Sequence, residues 1–344
     1  MLQYTPGEKA RDQGERVNYK YFINRIIYFI ILFFITLTVG FAIPRAIPGN
    51  PADAVLARIA SHGGYVSPLL LKSVYQEMGI STKPVYIQYF SYLSNLFHGN
   101  FGVSITYFPE PVINIIYNSL IWTILLILVP VVIAFYLGNW LGRKAALSRG
   151  KTSDAVSTMV PMFFYGIPAF ALGAILLEIF GIQLKILPEL GSYSFTTTPG
   201  FNAPFIISVI KHAILPITTI VLTTLSSWVF GMRNNMVTIL NSNFLKYSSL
   251  MGVKQKIINK NASRNALLPN MTSFGIAIGF AITGVIMIQQ IFSYQGLGEY
   301  LFQGIEGLDY PLVNGIFIVI ILISLIANFG VEMIYGILDP RIRS

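Results

Sequence analysis

The segment FINRIIYFIILFFITLTVGFAI, residues 22–43, decides how the rest of the chain is read. It is apolar throughout apart from Asn24 and Arg25 at its start. About 20 helical residues, rising 1.5 Å each, cross the roughly 30 Å of a bilayer's hydrocarbon. The run is too long for the core of a signal peptide, and no small-residue cleavage site follows it. Pro44 and Pro48 end it. The pattern predicts a first membrane-spanning helix, and composition predicts several more. Of 344 residues, 54% are hydrophobic and 11% charged, with a mean hydropathy of +0.65. Ordinary globular chains carry about 25% charged residues, because charge covers their surface. This composition excludes a disordered or collagen-like chain and argues against a soluble enzyme.

Five further apolar stretches follow. Span two runs from about Leu120 to Leu141 around Pro130, and span three from Val156 to Phe180 around Pro161 and Pro168. Span four runs from Ala213 to Phe230 with Pro216 near its start, span five from Met271 to Phe292, and span six from Val313 to Leu338. Internal prolines are tolerated in lipid where neighbouring helices re-satisfy the freed carbonyls. Residues 49–117 are less apolar. Within them Leu69–Met78 and Val85–Leu96 are amphipathic, with lengths that suit interfacial or buried helices better than spans. The expected fold is all-α: a polytopic membrane protein of six transmembrane helices, with a short tail at 1–20, a transmembrane domain at 21–344, and a helical insertion at about 49–117.

Six spans place both termini on one side, and charge selects the side. With the termini inside, the inner segments carry Lys9, Arg11, Arg16, Lys20 and Arg25; Arg143, Lys144, Arg149 and Lys151; Arg233, Lys246, Lys254, Lys256, Lys260 and Arg264; and Arg341 and Arg343. That is 17 of the 23 basic residues. The remaining six, Arg45, Arg58, Lys72, Lys83, Lys185 and Lys211, are spread over longer outer segments. Tail and C-terminus are therefore expected in the cytoplasm, with multiple passes through the cytoplasmic membrane. Topology accounts for the net charge of +9. Nucleic-acid binding does not, since no basic run alternates with aromatics on a polar domain. The chain has no cysteine, which excludes disulfides, thiolate nucleophiles and iron–sulfur ligation. His62, His98 and His212 lie too far apart in sequence for metal-ligand spacing.

The inner loop from Arg233 to Pro269 is the most informative polar region. It contains Asn243-Phe244-Leu245-Lys246-Tyr247-Ser248-Ser249-Leu250-Met251-Gly252, then a helical run from Val253 to Ala262, then Arg264-Asn265-Ala266-Leu267-Leu268-Pro269. The order reads as helix, glycine turn, helix and re-entry at a proline. Gly252 suits the residue after a helix, where positive φ costs glycine little. Such a loop presents a short helix to a partner, or it simply connects two spans. Span five carries Thr272, Gly275, Gly279, Thr283 and Gln290 on one helical face, and Gly275 with Gly279 forms a small-xxx-small pair. That face is either a pathway or subunit interface, or ordinary packing within one bundle. Glu178 reads as snorkelling to an interface, Glu332 as a partner of a basic inner loop, and His212 as an interfacial residue. No Gly-x-x-x-x-Gly-Lys-Ser/Thr run cradles phosphates, and no paired carboxylates or nucleophile–base set is present.

The inner loop resembles the cytoplasmic coupling motif of ABC-importer permeases in the dipeptide, oligopeptide and nickel branch. Other stretches resemble the same branch in order: Ile47-Pro48-Gly49-Asn50-Pro51-Ala52, Gly166-Ile167-Pro168-Ala169-Phe170, His212-Ala213-Ile214-Leu215-Pro216, Phe292-Ser293-Tyr294-Gln295-Gly296-Leu297-Gly298, Asp309-Tyr310-Pro311 and Leu338-Asp339-Pro340-Arg341-Ile342-Arg343. The resemblance covers nearly the whole chain from about residue 20. It implies the type I ABC importer permease fold, and a transport subunit rather than an enzyme. Implied partners are a second homologous permease, two ATPases that hold the ATP and Mg this chain does not bind, an extracellular substrate-binding protein, and membrane lipid. Lys246, Tyr247, Ser248, Ser249 and Gly252 fall where coupling to the ATPase is expected. The span-five face fits the translocation pathway or subunit interface. The implied cargo is oligopeptide or dipeptide first, oligosaccharide second and nickel less. Two departures stand out. The Glu-Ala-Ala of the general coupling motif is absent, with Tyr247-Ser248-Ser249 in its neighbourhood. Gln295 stands where the pattern usually has proline. A secondary transporter would need ionisable residues at mid-membrane and usually an internal repeat, and neither is evident.

Overall fold

The computed structural model describes residues 19–46, Ser67 and residues 84–338. The tail before Tyr19, the expected helix at Leu69–Met78, the Ile47–Ala52 motif and residues 339–344 lie outside them. The helices in chain order are α1 (Tyr19–Ala46), α2 (Val85–Phe97), α3 (Val112–Leu147), α4 (Thr152–Tyr165), α5 (Ala169–Leu176), α6 (Ala203–Leu240), α7 (Asn243–Leu250), α8 (Gln255–Ile291), α9 (Leu297–Glu306) and α10 (Tyr310–Leu338). A π-helical segment, Leu177–Gln183, extends α5. Among the described residues the β structure is one isolated antiparallel bridge, between Val103 and Pro111.

α3, α6 and α10 are each long and apolar enough to cross a membrane. α4 with α5, and the two arms of α8, make two further spans when each bent pair counts once. α1, with its shorter apolar stretch Ile26–Ala42, is the sixth apolar helix. The all-helical expectation holds, and three to five spans with one shorter apolar helix are consistent with the six expected.

Two elements differ from the simple reading. Span three is not one straight helix: α4 and the α5 segment meet at 97°. Pro168 brings no N–H to the ladder and pushes Ile167 out of the helical region, so the chain turns there and Pro168 caps a new helix. Span five does not begin at a re-entry proline. α8 starts at Gln255 and runs through Pro269 as one 37-residue helix. Beside the gap that Pro269 leaves, the Ala266 carbonyl accepts a hydrogen bond from Asn235 Nδ2 at 3.3 Å. α8 bends by 56° between Gly279 and Gly284 instead.

The bundle is built around the crossing of α3 and α6. A Cβ on Gly138 would overlap Trp228 Cβ, and one on Gly142 would sit 2.5 Å from the Val229 carbonyl and 2.8 Å from Met232 Cβ. The two backbones therefore meet directly, as small residues permit in lipid, where no hydrophobic force drives helices together. Ala134, Phe135, Val221 and Trp228 pack beside this crossing, with Phe274 of α8 against them. A buried amide pair adds polar glue: Asn270 Nδ2 on α8 donates to Asn139 Oδ1 on α3 at 2.7 Å and to the Trp228 carbonyl on α6 at 3.2 Å. α1 stands at the edge, touching α10 through Phe29 and Phe329 and α2 through Phe41, Tyr89 and Tyr92. Ile26, Ile27, Ile30 and Ile31 remain exposed on it, as a lipid-facing helix requires.

Candidate functional site

α7 lies between α6 and α8, at one end of the bundle. Leu245 anchors it, 3% exposed, in a socket of Ala146 from α3, Met232 and Met236 from α6, and Ile258, Ala262 and Ala266 from α8. Its end is set by backbone bonds. The Gly252 N–H donates to the Ser249 carbonyl at 3.1 Å, and the Val253 N–H to the Ser248 carbonyl at 3.2 Å. Gly252 holds φ +77°, and a Cβ there would meet nothing within 4 Å. Backbone angle alone, not crowding, asks for glycine.

With Leu245 turned inward, the other large apolar side chains point out. Phe244, Tyr247 and Met251 are exposed, and Leu250 is 86% exposed. Lys246 and Ser249 are exposed too, while Ser248 is half-buried with its Oγ donating to the Phe244 carbonyl at 2.9 Å. The five residues expected here thus share one short helix and its cap. Lys254, Lys256, Lys260 and Arg264 follow, all exposed, on the first turns of α8. No Asp or Glu occurs between Glu189 and Glu299. Arg233, on α6, is paired instead with Asp154 on α4.

The span-five set is not gathered in one place. Thr272, Gly275 and Gly279 precede the bend in α8, Thr283 lies within it, and Gln290 follows it. Gly275 and Gly279 are half-buried. The side chains of Thr272 and Thr283 lie outside those described. Gln290 is half-buried, and its Oε1 is buried without a hydrogen-bond partner.

The polar residue that organises the end of the bundle opposite α7 is Gln289, which the helical stripe does not single out. It is fully buried. Its Nε2 donates to Thr123 Oγ1 at 3.1 Å, and its Oε1 accepts from the Gly298 N–H at 2.6 Å. Thr123 Oγ1 also accepts from the Leu297 N–H at 2.8 Å. The start of α9 is laid directly on Gln289, so Gly296 and Gly298 have no room for side chains: a Cβ on Gly298 would lie 2.6 Å from Ile286 Cα. The neighbouring Gln295 N–H donates to the buried Ser192 Oγ at 2.9 Å, a bond that proline could not make. Asp309 is fully buried before α10, where its carboxylate accepts from the Leu312 N–H at 3.1 Å, the Thr106 N–H at 2.8 Å, and Ser104 Oγ. His212 Nδ1 is occupied by the Ser208 carbonyl of its own helix at 2.7 Å, and Glu178 by Gln183. Among the described residues no group of His, Cys, Asp or Glu is placed to hold a metal.

Among the described residues the arrangement is an all-helical bundle of apolar spans with a short anchored helix at one end. Residues 137–344 match the family described as binding-protein-dependent transport system inner membrane component, and residues 18–136 match its N-terminal counterpart. The chain belongs to this family. It is an ABC-importer permease of the cytoplasmic membrane, working with ATPase and substrate-binding subunits, and is not itself an enzyme. Similar proteins include the glutathione transport system permease protein GsiC of Escherichia coli strain K12 and of Shigella dysenteriae serotype 1. Each is 28% identical over 324 residues, covering 94% of this chain and 98% of the relative. GsiC of Shigella boydii serotype 4 is 27% identical over the same lengths.

Proposed function

We propose that this permease imports small peptides, with both termini in the cytoplasm and α7 as the element that receives motion from an ATPase. The observation that carries the reading is α7 itself: one buried leucine fixes it, and Phe244, Tyr247, Leu250 and Met251 are left uncovered beside Lys246. A helix so placed offers an apolar ridge to a groove on a partner. Seventeen of the 23 basic residues fall in the segments read as inner, the one that carries α7 among them, which supports its cytoplasmic side. Glutathione, in the names of the relatives, is a small peptide, which favours peptide over oligosaccharide or nickel. A second homologous permease is proposed against the face of α8 that carries Gly275 and Gly279. ATP-driven closure of the ATPases would then tilt the spans from inward-open to outward-open.

Cross-linking tests the site. Ser249→Cys, paired with cysteines on the ATPase surface, should give a disulfide-linked product, while Phe195→Cys should not. If no position from Lys246 to Lys256 cross-links to an ATPase, α7 is not the coupling element. For orientation, cysteines at Ser148 or Asn259 should resist an impermeant thiol reagent in intact cells, and one at Phe195 should react. Gly279→Leu should lose assembly with the second permease or lose uptake. Mass spectrometry of the ligand co-purifying with the binding protein decides the cargo.

A further inference from the structure

At the end of the bundle opposite α7, helix α9 buries a carboxylate. Glu299 is 8% exposed, and it is the first acidic residue in the chain after Glu189. Gln303, one turn on, donates its Nε2–H to Glu299 Oε1 at 2.7 Å. The other two oxygens of these side chains, Glu299 Oε2 and Gln303 Oε1, are both buried and both lack a hydrogen-bond partner. Two buried acceptors left unpaired on hydrogen-bonded neighbours are expensive. A carboxyl and a carboxamide are both planar, and joined edge to edge by one hydrogen bond they can close a second if a single proton is added.

We propose that Glu299 and Gln303, one turn apart on α9, form a neutral acid–amide pair, with a proton on Glu299 Oε2 donated to Gln303 Oε1, and that α9 stays packed against the bundle only while that proton is held. The groups facing it do not favour an anion there. Glu306 and Tyr300 lie on α9 itself, Tyr107 reaches it from the segment before α3, and Asp309 stands beyond Tyr107 at the start of α10. None of these brings a positive charge. Burial, with Glu306 adding to it, raises the Glu299 carboxyl above the ordinary glutamate range, against the bond from Gln303. Burial and the neighbouring Tyr300, Glu299 and Asp309 push the Tyr107 phenol up to about 12.

The pair bears on function through what α9 covers. α9 begins on Gln289, near the end of α8, and on Thr123, three turns into α3. Lifting α9 would admit water to Glu299, whose proton then passes to solvent and leaves a hydrated carboxylate. Closing α9 again takes the proton back. The sign follows. The closed form holds more protons than the open or unfolded one between the ordinary glutamate value and the raised one, so closure is fully favoured below that window and loses ground as pH rises through it. That solvent is extracellular rests on the orientation proposed above; the protonation itself does not.

The test uses the assembled importer in lipid nanodiscs. Glu299→Gln supplies the same two hydrogen bonds without a proton. The infrared difference between wild type and Glu299→Gln at neutral pH should contain the carbonyl stretch of a protonated carboxylic acid, and Gln303→Ala should shift that band. The thermal midpoint of the wild type should fall as pH rises above the ordinary glutamate range, while that of Glu299→Gln stays at the wild type's acid value. Absence of the band, an unchanged pH slope in Glu299→Gln, or failure of Glu299→Gln to assemble each overturns the pair. None of these readouts depends on which end faces the cytoplasm or on what is transported.

Discussion

Arg233 on α6 grips Asp154 on the first turn of α4 at two points, Nε to Oδ1 at 2.7 Å and Nη2 to Oδ2 at 2.8 Å. The Gly150 N–H adds a third bond to Oδ2 at 3.1 Å. This fork holds the broken span to the central helix at its α7 end. Asp154→Ala should lower the stability of the purified complex by about 1–3 kcal/mol, less than for a wholly buried pair because the arginine side chain is 25% exposed. Arg233→Lys keeps the charge and loses the fork, so its thermal midpoint should fall between the two.

The cap of α7 gives a graded series. Gly252 has open space but a positive φ. Gly252→Asn should be mild, Gly252→Ala should cost about 1 kcal/mol, and Gly252→Val more. Accumulation in the membrane should hardly change across the series. Substrate-stimulated ATP hydrolysis and uptake in proteoliposomes should fall together in that order, and a flat response would remove the cap from the coupling path.

Two glycines separate folding from assembly. Gly142→Leu places a branched side chain against the Val229 carbonyl and Met232, where overpacking costs about 1–3 kcal/mol or more, and should abolish accumulation of the chain. A Cβ on Gly284 would meet nothing within 4 Å. Gly284→Leu should therefore fold normally, as read by protein level and thermal midpoint, and show any defect in assembly or uptake alone.

Ser192 and Gln295 form a coupled pair across the turn before α9. Ser192→Ala and Gln295→Pro should each cost about 0.5–1.5 kcal/mol, and the double variant no more than either single one. Additive losses would mean that the 2.9 Å bond between them carries no energy.

The six apolar helices were legible because lipid demands long runs of apolar residues, and Gly252 because a polar loop exposes its turn chemistry. Packing between spans was not. Gly138 and Gly142 have the same small-xxx-small spacing as Gly275 and Gly279, and spacing cannot say which pair meets a neighbour inside the chain. Pro168 and Pro269 are both prolines in apolar runs, yet one breaks its helix by 97° and the other does not break it. Nothing in the two local sequences separates them. Gln289 looks on paper like its neighbour Gln290. Only the folding of Gly296 and Gly298 onto it sets it apart.

The bend in α8 makes a lever of unequal arms. From Gln255 to Gly279 the first arm is about 37 Å long, and from Gly284 to Ile291 the second is about 12 Å. One arm begins just after α7, and the other carries Gln289 beneath α9. If the pivot stays fixed, a swing of a few ångströms at the long end arrives at the short end reduced about threefold, with correspondingly greater force. Such gearing suits a device that must part a tightly hydrogen-bonded seat rather than carry it a long way.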